Sequence, residues 1–164
     1  MRAILSLLVL VASAAGAHYL VLTKVPSFVM SQAHQMLEEG NTPLHQWVQS
    51  PRQTPQTQQV VRPSPDLAYA ICRFDTTSGP VAISAPSWDG YGSISIFNGE
   101  TDNIFVGDLS PNSTFDRVVV SPTGVAGDVE LNGQGIALIR RLAPTQEEYD
   151  RAAALVDAAS CAPL

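Results

Sequence analysis

The chain opens with an apolar run from Ala3 to Leu22 that carries no charged side chain. As an α-helix, at about 1.5 Å per residue, this run would be about 30 Å long, which is the thickness of the hydrocarbon core of a bilayer. We therefore predict that residues 1–23 form a membrane anchor or a signal sequence.

Two interpretations of this leader remain open. Ala15-Gly16-Ala17 is a small-residue pattern typical of a signal-peptide cleavage site, and cleavage there would leave His18 as the first residue. The apolar residues Tyr19 to Leu22 continue the run beyond that point, which makes it longer than an ordinary signal peptide core. A retained anchor is therefore favoured over cleavage after Ala17.

The next segment, residues 24–40, has apolar residues at helical spacing, followed by Gly40 as a stop signal. It predicts an amphipathic helix with Pro26 in its first turn. Its apolar stripe is expected to dock on the folded domain, the alternative being the lipid interface. The stripe consists of Val25, Phe28, Val29, Ala33, Met36 and Leu37.

Residues 41–65 are rich in Pro and Gln, a composition that does not fold alone. We predict an extended tether, with Trp47 as its anchor on the domain. Val60 and Val61 could add a short edge strand.

Beyond Pro65 the apolar period becomes strand-like, and residues 66–164 predict a β-rich domain. Asp89-Gly90 predicts a hairpin between the second and third strands. In the third strand, Ile94 and Ile96 face away from Ser93 and Ser95, so one sheet face should be apolar and the other wetter. The predicted strands are Leu67–Phe74, Val81–Ala85, Ser93–Phe97, Ile104–Val106, Arg117–Ser121 and Gly135–Arg141.

The chain ends in a second helical pattern. Thr145 and Glu148 form a capping box, and a helix of about 14 residues follows with one apolar stripe. The predicted fold class is therefore mainly β, an antiparallel sheet or sandwich with a C-terminal helix packed on it, preceded by an N-terminal transmembrane or signal helix.

The chain has two cysteines, Cys72 in the first predicted strand and Cys161 near the carboxyl terminus. Their separation excludes a CxxC metal or redox motif. On the far side of a membrane such a pair is typical of a disulfide, and the alternative is two separate buried thiols.

Composition limits the chemistry that this chain can perform. The formal net charge is −6 and the nine Lys and Arg residues are scattered singly apart from Arg140-Arg141, so there is no basic patch for nucleic acid. The sequence contains no GxSxG, HExxH or Gly-rich phosphate motif, and His18, His34 and His45 lack the spacing of metal ligands. We predict no cofactor and no metal site.

The strongest candidate for a ligand site is a group of polar and aromatic residues around the predicted hairpin. Its oxygen atoms could hold a calcium ion, but the spacing lacks the EF-hand rhythm, and an ordinary turn is the simpler interpretation. Trp88, Tyr91 and Phe97 could line a sugar or lipid groove or pack in the core. A catalytic carboxylate pair would have to come from Asp75, Asp89 and Glu100. The candidate cluster is Trp88, Asp89, Tyr91, Glu100, Asp102 and Asn103, with Asn98 beside it.

Five segments follow one another between Asp66 and Cys161: Leu67–Cys72, Ser78–Pro86, Asp89–Phe97, Thr101–Gly107 and Ile139–Thr145. In this succession they resemble the domain of unknown function 1254 family, over most of Asp66 to Cys161. The resemblance implies an extracytoplasmic, mainly β domain of the short, membrane-anchored type. It also implies a partner, an envelope protein carrying the companion domain of the 1214 type. It supplies no catalytic residues.

Three functions are compatible with this sequence. The favoured one is a non-catalytic protein-interaction domain, anchored by a single pass in the bacterial inner membrane and lying in the periplasm, or secreted there if the leader is cleaved. The alternatives are a module that binds a small ligand or carbohydrate and, least favoured, a carboxylate-dependent enzyme.

Overall fold

A computed structural model describes residues 2–54 and 63–164. A long helix precedes nine strands, with a second helix and a 3₁₀ turn before the last strand. The elements are α1 (Arg2–Glu39), β1 (Trp47–Gln49), β2 (Leu67–Asp75), β3 (Val81–Ser84), β4 (Gly92–Phe97), β5 (Asn103–Asp108), β6 (Arg117–Ser121), β7 (Val129–Glu130), β8 (Gln134–Leu142), α2 (Gln146–Ala154), the 3₁₀ turn (Leu155–Ala158) and β9 (Ser160–Pro163).

The apolar leader and the amphipathic segment form one continuous helix, α1, instead of an anchor followed by a separate helix. Pro26 therefore lies inside a helix and not in a first turn, which corrects the prediction. The stop at Gly40 is confirmed: its backbone N–H donates to the carbonyl of Met36 at 2.9 Å, and Asn41 follows with a positive φ of 61°.

The carboxyl-terminal half of α1 docks on the domain through only part of the predicted stripe, since Ala33 and Leu37 are half-buried. Met30 and His34 are buried, whereas Val25, Val29 and Met36 of that stripe stay exposed. The helix is apolar on more than one side, so the periodicity of the sequence does not identify which side contacts the domain.

The strands form two sheets that pack face to face. The five-stranded sheet has the order β1-β2-β8-β4-β5, and all of its pairs are antiparallel. The four-stranded sheet has the order β7-β6-β3-β9, with β6 and β7 parallel. All six predicted strands are confirmed as β2, β3, β4, β5, β6 and β8, and β1, β7 and β9 were not predicted.

The predicted hairpin at Asp89-Gly90 is wrong. Strand β3 pairs with β6 and β9, and β4 pairs with β8 and β5, so the segment between β3 and β4 crosses from one sheet to the other. Neither Gly90 nor Gly92 has the positive φ that a tight hairpin turn requires.

The core lies between the two sheets, and the predicted disulfide joins them. Cys72 of β2 is bonded to Cys161 of β9, with a Cα–Cα distance of 6.6 Å. Large buried side chains from both sheets surround this bond. They include Phe74, Ile83, Ile94, Ile96, Val118, Val120 and Ile139.

A smaller apolar cluster lies under α2. Trp88 packs there with Ala68 of β2, Ala143 and Ala152 of α2, and its indole N–H donates to the carbonyl of Leu142 at 2.9 Å. The capping box of Thr145 and Glu148 is present, and nine helical residues followed by the four-residue 3₁₀ turn bring the chain back to β9. The predicted packing of this helix on the sheet is confirmed.

Part of the segment predicted as a tether belongs to the sheet. Trp47–Gln49 form strand β1, which pairs with β2. The predicted anchoring by Trp47 is confirmed, since it is half-buried and its indole N–H donates to the carbonyl of Ser160 at 2.9 Å. Val60 and Val61 lie outside the described residues.

Candidate functional site

The outer face of the five-stranded sheet, the one turned away from the core, is crossed by a mostly apolar row of side chains. Successive cross-strand partners place Val48, Ile71, Leu138, Ser95 and Val106 side by side on β1, β2, β8, β4 and β5. At about 4.8 Å between strands the row is about 19 Å wide. We call this surface, with the rows on either side of it, the outer face.

The rows on either side of the apolar row bring polar groups to its borders. One contains Arg73, Ile136, Phe97 and Asn103, and the other contains Tyr69, Arg140, Ser93 and Asp108. Arg140 Nη1 donates to Ser95 Oγ at 3.3 Å, and the hydroxyls of Tyr91 and Ser93 are 3.2 Å apart.

The expectation of a wetter sheet face is therefore corrected. Ser93 and Ser95 do face away from Ile94 and Ile96, but Ser95 is only 1% exposed, and apolar residues stand beside it. Val106 at the sheet edge is 63% exposed. An apolar centre with a polar border is the composition of a protein–protein interface.

Helix α1 joins the domain at one end of the outer face, through Arg73. The guanidinium donates to Thr42 O at 3.1 Å, to Glu38 Oε2 at 3.1 Å and to His34 Nδ1 at 3.5 Å. Burial, together with the positive charge of Arg73, lowers the pKa of His34 below its ordinary value. Sequence reasoning missed Arg73, although a charged residue within an otherwise apolar strand is a visible signal.

The structure does not bring the predicted ligand cluster together. Asp89 and Tyr91 precede β4, whereas Glu100 and Asp102 follow it. The six residues of β4 between them span about 20 Å. The three aromatic candidates are also separated, because Trp88 is buried under α2 and Phe97 lies at the other end of β4 from Tyr91.

Trp88 and Asp89 have structural contacts. The guanidinium of Arg151 lies 5.2 Å from the centre of the Trp88 ring, and Arg151 Nη1 is 3.4 Å from Asp89 Oδ2. Both members of this ion pair are exposed, so it contributes little to stability.

The remaining members of the cluster organise the turn between β4 and β5. Asn98 Oδ1 accepts hydrogen bonds from the backbone N–H groups of Glu100 and Asp102, both at 2.9 Å. With its amide nitrogen turned toward the backbone, Asn103 donates to the carbonyls of Ile96 and Phe105, at 3.1 and 2.8 Å. These side chains hold a turn, as the simpler interpretation predicted.

A polar cleft of about 420 Å³ lies beside this turn. Two of its side chains hydrogen-bond each other, since Asn132 Nδ2 donates to Thr123 Oγ1 at 2.8 Å. Within residues 2–54 and 63–164, no three His, Cys, Asp or Glu side chains lie close enough to hold a metal ion. The cleft is lined by Asn98, Gly99, Glu100, Thr123, Glu130, Leu131 and Asn132.

Of the carboxylates considered for catalysis, Asp89 is separated from the other two. Asp75 ends β2 at the same end of the sheet as Glu100, and Asp89 lies at the opposite end. Burial opposes ionisation of Asp75, but hydrogen bonds from the hydroxyl and backbone N–H of Thr77 outweigh it and lower the pKa of the carboxyl.

Arg141 is a second arginine that sequence reasoning did not single out. It is 1% exposed and donates to the carbonyl oxygens of Pro86 and Ala152, at 3.0 and 3.4 Å. Burial lowers the pKa of its guanidinium to about 10. Because its contacts are backbone atoms of the segment before β4 and of α2, it connects these two parts of the fold.

Comparison with family models gives a match to "Protein of unknown function (DUF1254)" over residues 45–163. This chain belongs to the DUF1254 family. The match begins before β1, so the DUF1254 domain includes the strand that the composition of residues 41–65 concealed.

A solved structure shares the fold of this DUF1254 protein. It is the VPA0106 protein from Vibrio parahaemolyticus, with a TM-score of 0.60 and 14% sequence identity, over 85% of this chain and 35% of that one. The chain thus spans about a third of the Vibrio protein. Comparison with curated proteins gives no match.

Proposed function

We propose that this DUF1254 protein is a non-catalytic interaction domain, held at the bacterial inner membrane by α1 and lying in the periplasm. Its outer face binds another envelope protein, which carries the companion domain of the 1214 type. The apolar row of the outer face is the observation that carries this proposal.

The row supports a protein contact because of its position in the fold. The core of the domain is already formed between the two sheets, so Ile71 and Leu138 are not needed there. Val48, Ile71 and Leu138 are half-buried in this chain alone and Val106 is 63% exposed, so a partner would remove their remaining apolar area from water, at about 25 cal/mol per Å².

The anchor and the disulfide support the location. Helix α1 is long and apolar enough to cross a membrane, and the disulfide between Cys72 and Cys161 fits an extracytoplasmic domain. Confinement to a membrane raises the effective concentration of a partner in the same envelope, so even a modest interface would be occupied.

The test uses two exposed valines, one on the outer face and one away from it. Val106 lies on the outer face, and Val125 lies in the loop between β6 and β7 of the other sheet. Two variants of the full chain are made, Val106→Glu and Val125→Glu. Each is crosslinked to its neighbours in cells and then purified together with the proteins bound to it.

We expect Val106→Glu to reduce the recovered partner at least about tenfold, because it would bury an unpaired carboxylate in the interface. Val125→Glu should leave the recovery unchanged. Equal recovery from both variants, or the absence of a stoichiometric partner from the unmodified protein, would contradict the proposal.

A module that binds a small polar ligand is the second candidate, and the cleft beside Asn98 is the observation that favours it. Glu100 and Glu130 line this cleft, so its ligand would be cationic or rich in hydroxyl groups. Replacing both by Gln should abolish binding in a screen of such ligands and leave partner recovery unchanged. Carboxylate-dependent catalysis would require two facing carboxylates, and this cleft is where we would look for them.

A further inference from the structure

The part of α1 beyond the apolar run has two different apolar sides. One side, with Met30, His34 and Leu37, is turned toward the protein's own domain. The other side carries Val25, Val29 and Met36, which are 46%, 50% and 51% exposed. At 100° per residue the centres of these two sides lie about 125° apart around the helix. The exposed side is therefore free to meet another helix while the domain stays docked.

The exposed side follows a coiled-coil repeat. Leu22, Val25, Val29, Gln32 and Met36 are separated by alternating steps of three and four residues, which is the spacing of the a and d positions of a heptad. One step of four back from Leu22 reaches His18, so the same seam continues into the apolar run. Leu22, Val29 and Met36 occupy one core position, and His18, Val25 and Gln32 occupy the other.

His18 is an independent sign that a helix covers this seam. It is the only basic side chain between Ala3 and Leu22, a run whose other residues are apolar, small or aromatic. An ionisable side chain within a membrane segment is costly when it faces lipid and typically faces another helix, where it finds a hydrogen-bonding partner.

The seam identifies a second copy of this chain as its occupant. All copies insert in the same direction, so their α1 helices are parallel. In a parallel pair, His18 meets His18 and Gln32 meets Gln32, and each polar side chain obtains a partner that can both donate and accept a hydrogen bond. Polar residues at matched core positions fix the register and the number of strands in a coiled coil. A different sequence would need polar groups placed at the same two levels.

We therefore propose that two copies of this protein associate through a parallel coiled coil of their α1 helices, along the seam His18, Leu22, Val25, Val29, Gln32 and Met36. The proposal rests on the retained anchor of the proposed function and adds to it a second copy of the chain. The outer face is a separate surface of the same protein.

Cysteine crosslinking of the full chain in native membranes tests this arrangement. The native cysteines are bonded to each other and buried, so a new cysteine is the only free thiol among the described residues. Val29→Cys places a thiol on the seam. Ser31→Cys, two residues away and also exposed, places it on the opposite side of the helix and serves as the matched control.

On mild oxidation we expect Val29→Cys to give a disulfide-linked species of twice the chain's mass, in several-fold greater yield than Ser31→Cys. Cysteines placed singly along residues 25–36 should give the highest yields at 25, 29, 32 and 36. Equal yields at 29 and 31, no dimer at 29, or a crosslink from 29 to a different protein would each overturn the seam while leaving the proposed function standing. A soluble product that begins at His18 would instead overturn the retained anchor, and the seam with it.

Discussion

Loss of the Cys72–Cys161 crosslink is expected to lower the free energy of unfolding by about 4.5 kcal/mol. The two residues are 89 positions apart, so the bond closes a loop that includes most of the domain. In the chain-entropy relation the stabilisation grows with the logarithm of loop length, and a loop of this size gives about 4.5 kcal/mol at 25 °C. For a domain of this size that corresponds to a fall in melting temperature of about 15 to 20 °C.

Comparison of oxidised and reduced protein isolates this effect, because no atom of the core is removed. The full chain in detergent is unfolded, refolded with or without a thiol reductant, and titrated with urea. The double variant Cys72→Ala, Cys161→Ala is the control: it should be destabilised in both conditions, and the reductant should not change its midpoint.

Equal urea midpoints for the oxidised and reduced wild-type chain would refute this reasoning. They would mean that the packing of β9 against β3 holds the carboxyl terminus without the bond, or that the two cysteines are not paired in the protein. Mass spectrometry of the alkylated protein separates these two explanations.

Three further predictions concern the junction with α1 and the core. Arg73→Ala should lower the free energy of unfolding by about 2 to 4 kcal/mol, because it removes the donor shared by His34, Glu38 and Thr42. Limited proteolysis should then cut the variant between α1 and β1, where the wild type stays uncut. Burial lowers the pKa of His34. Just below about pH 6.5 its imidazole is therefore protonated in the unfolded chain and still neutral in the folded protein. Docking of α1 should therefore weaken as the pH falls below that value, and a His34→Gln variant whose protease sensitivity kept the same pH dependence would contradict this. Gly135→Ala should lower the free energy of unfolding, measured by thermal unfolding, by about 1 to 3 kcal/mol, because the added Cβ would lie 2.5 Å from Cζ of the buried Phe74. Gly99→Ala is the control and should leave the stability unchanged, since its Cβ would meet nothing closer than 3.7 Å.

The elements that the sequence predicted are those whose own residues determine them. The runs that became β2 and β8 are nine residues long and mostly apolar, and α2 begins with its own capping box. The missed strands β1, β7 and β9 have three, two and four residues, and each exists because a neighbouring strand offers a partner. β9 is also held by the disulfide, a contact across 89 residues.

Pairing and docking were harder to predict than the elements. The hairpin assigned to Asp89-Gly90 assumed that neighbouring strands pair, but β4 instead finds its partners in β8 and β5. The outer face had a signal that was not used. Strands Leu67–Asp75 and Gln134–Leu142 are apolar at both odd and even positions, whereas a strand with one wet face alternates. Such strands indicate that both faces of the sheet are covered.

The length of α1 helps to decide what covers the outer face. If Ala3 to Leu22 fills the hydrocarbon core, the helix continues from Leu22 to Glu39 for about 25 Å on the far side. Arg73 contacts the helix at His34 and Glu38, which lie about 18 and 24 Å beyond the core boundary, whereas the headgroup layer is only about 5 to 8 Å thick. The helix therefore holds the end of the outer face nearest Arg73 above the lipid surface. At that height a bilayer cannot reach the Arg73 end of the outer face, and a protein that extends the same distance from the membrane can.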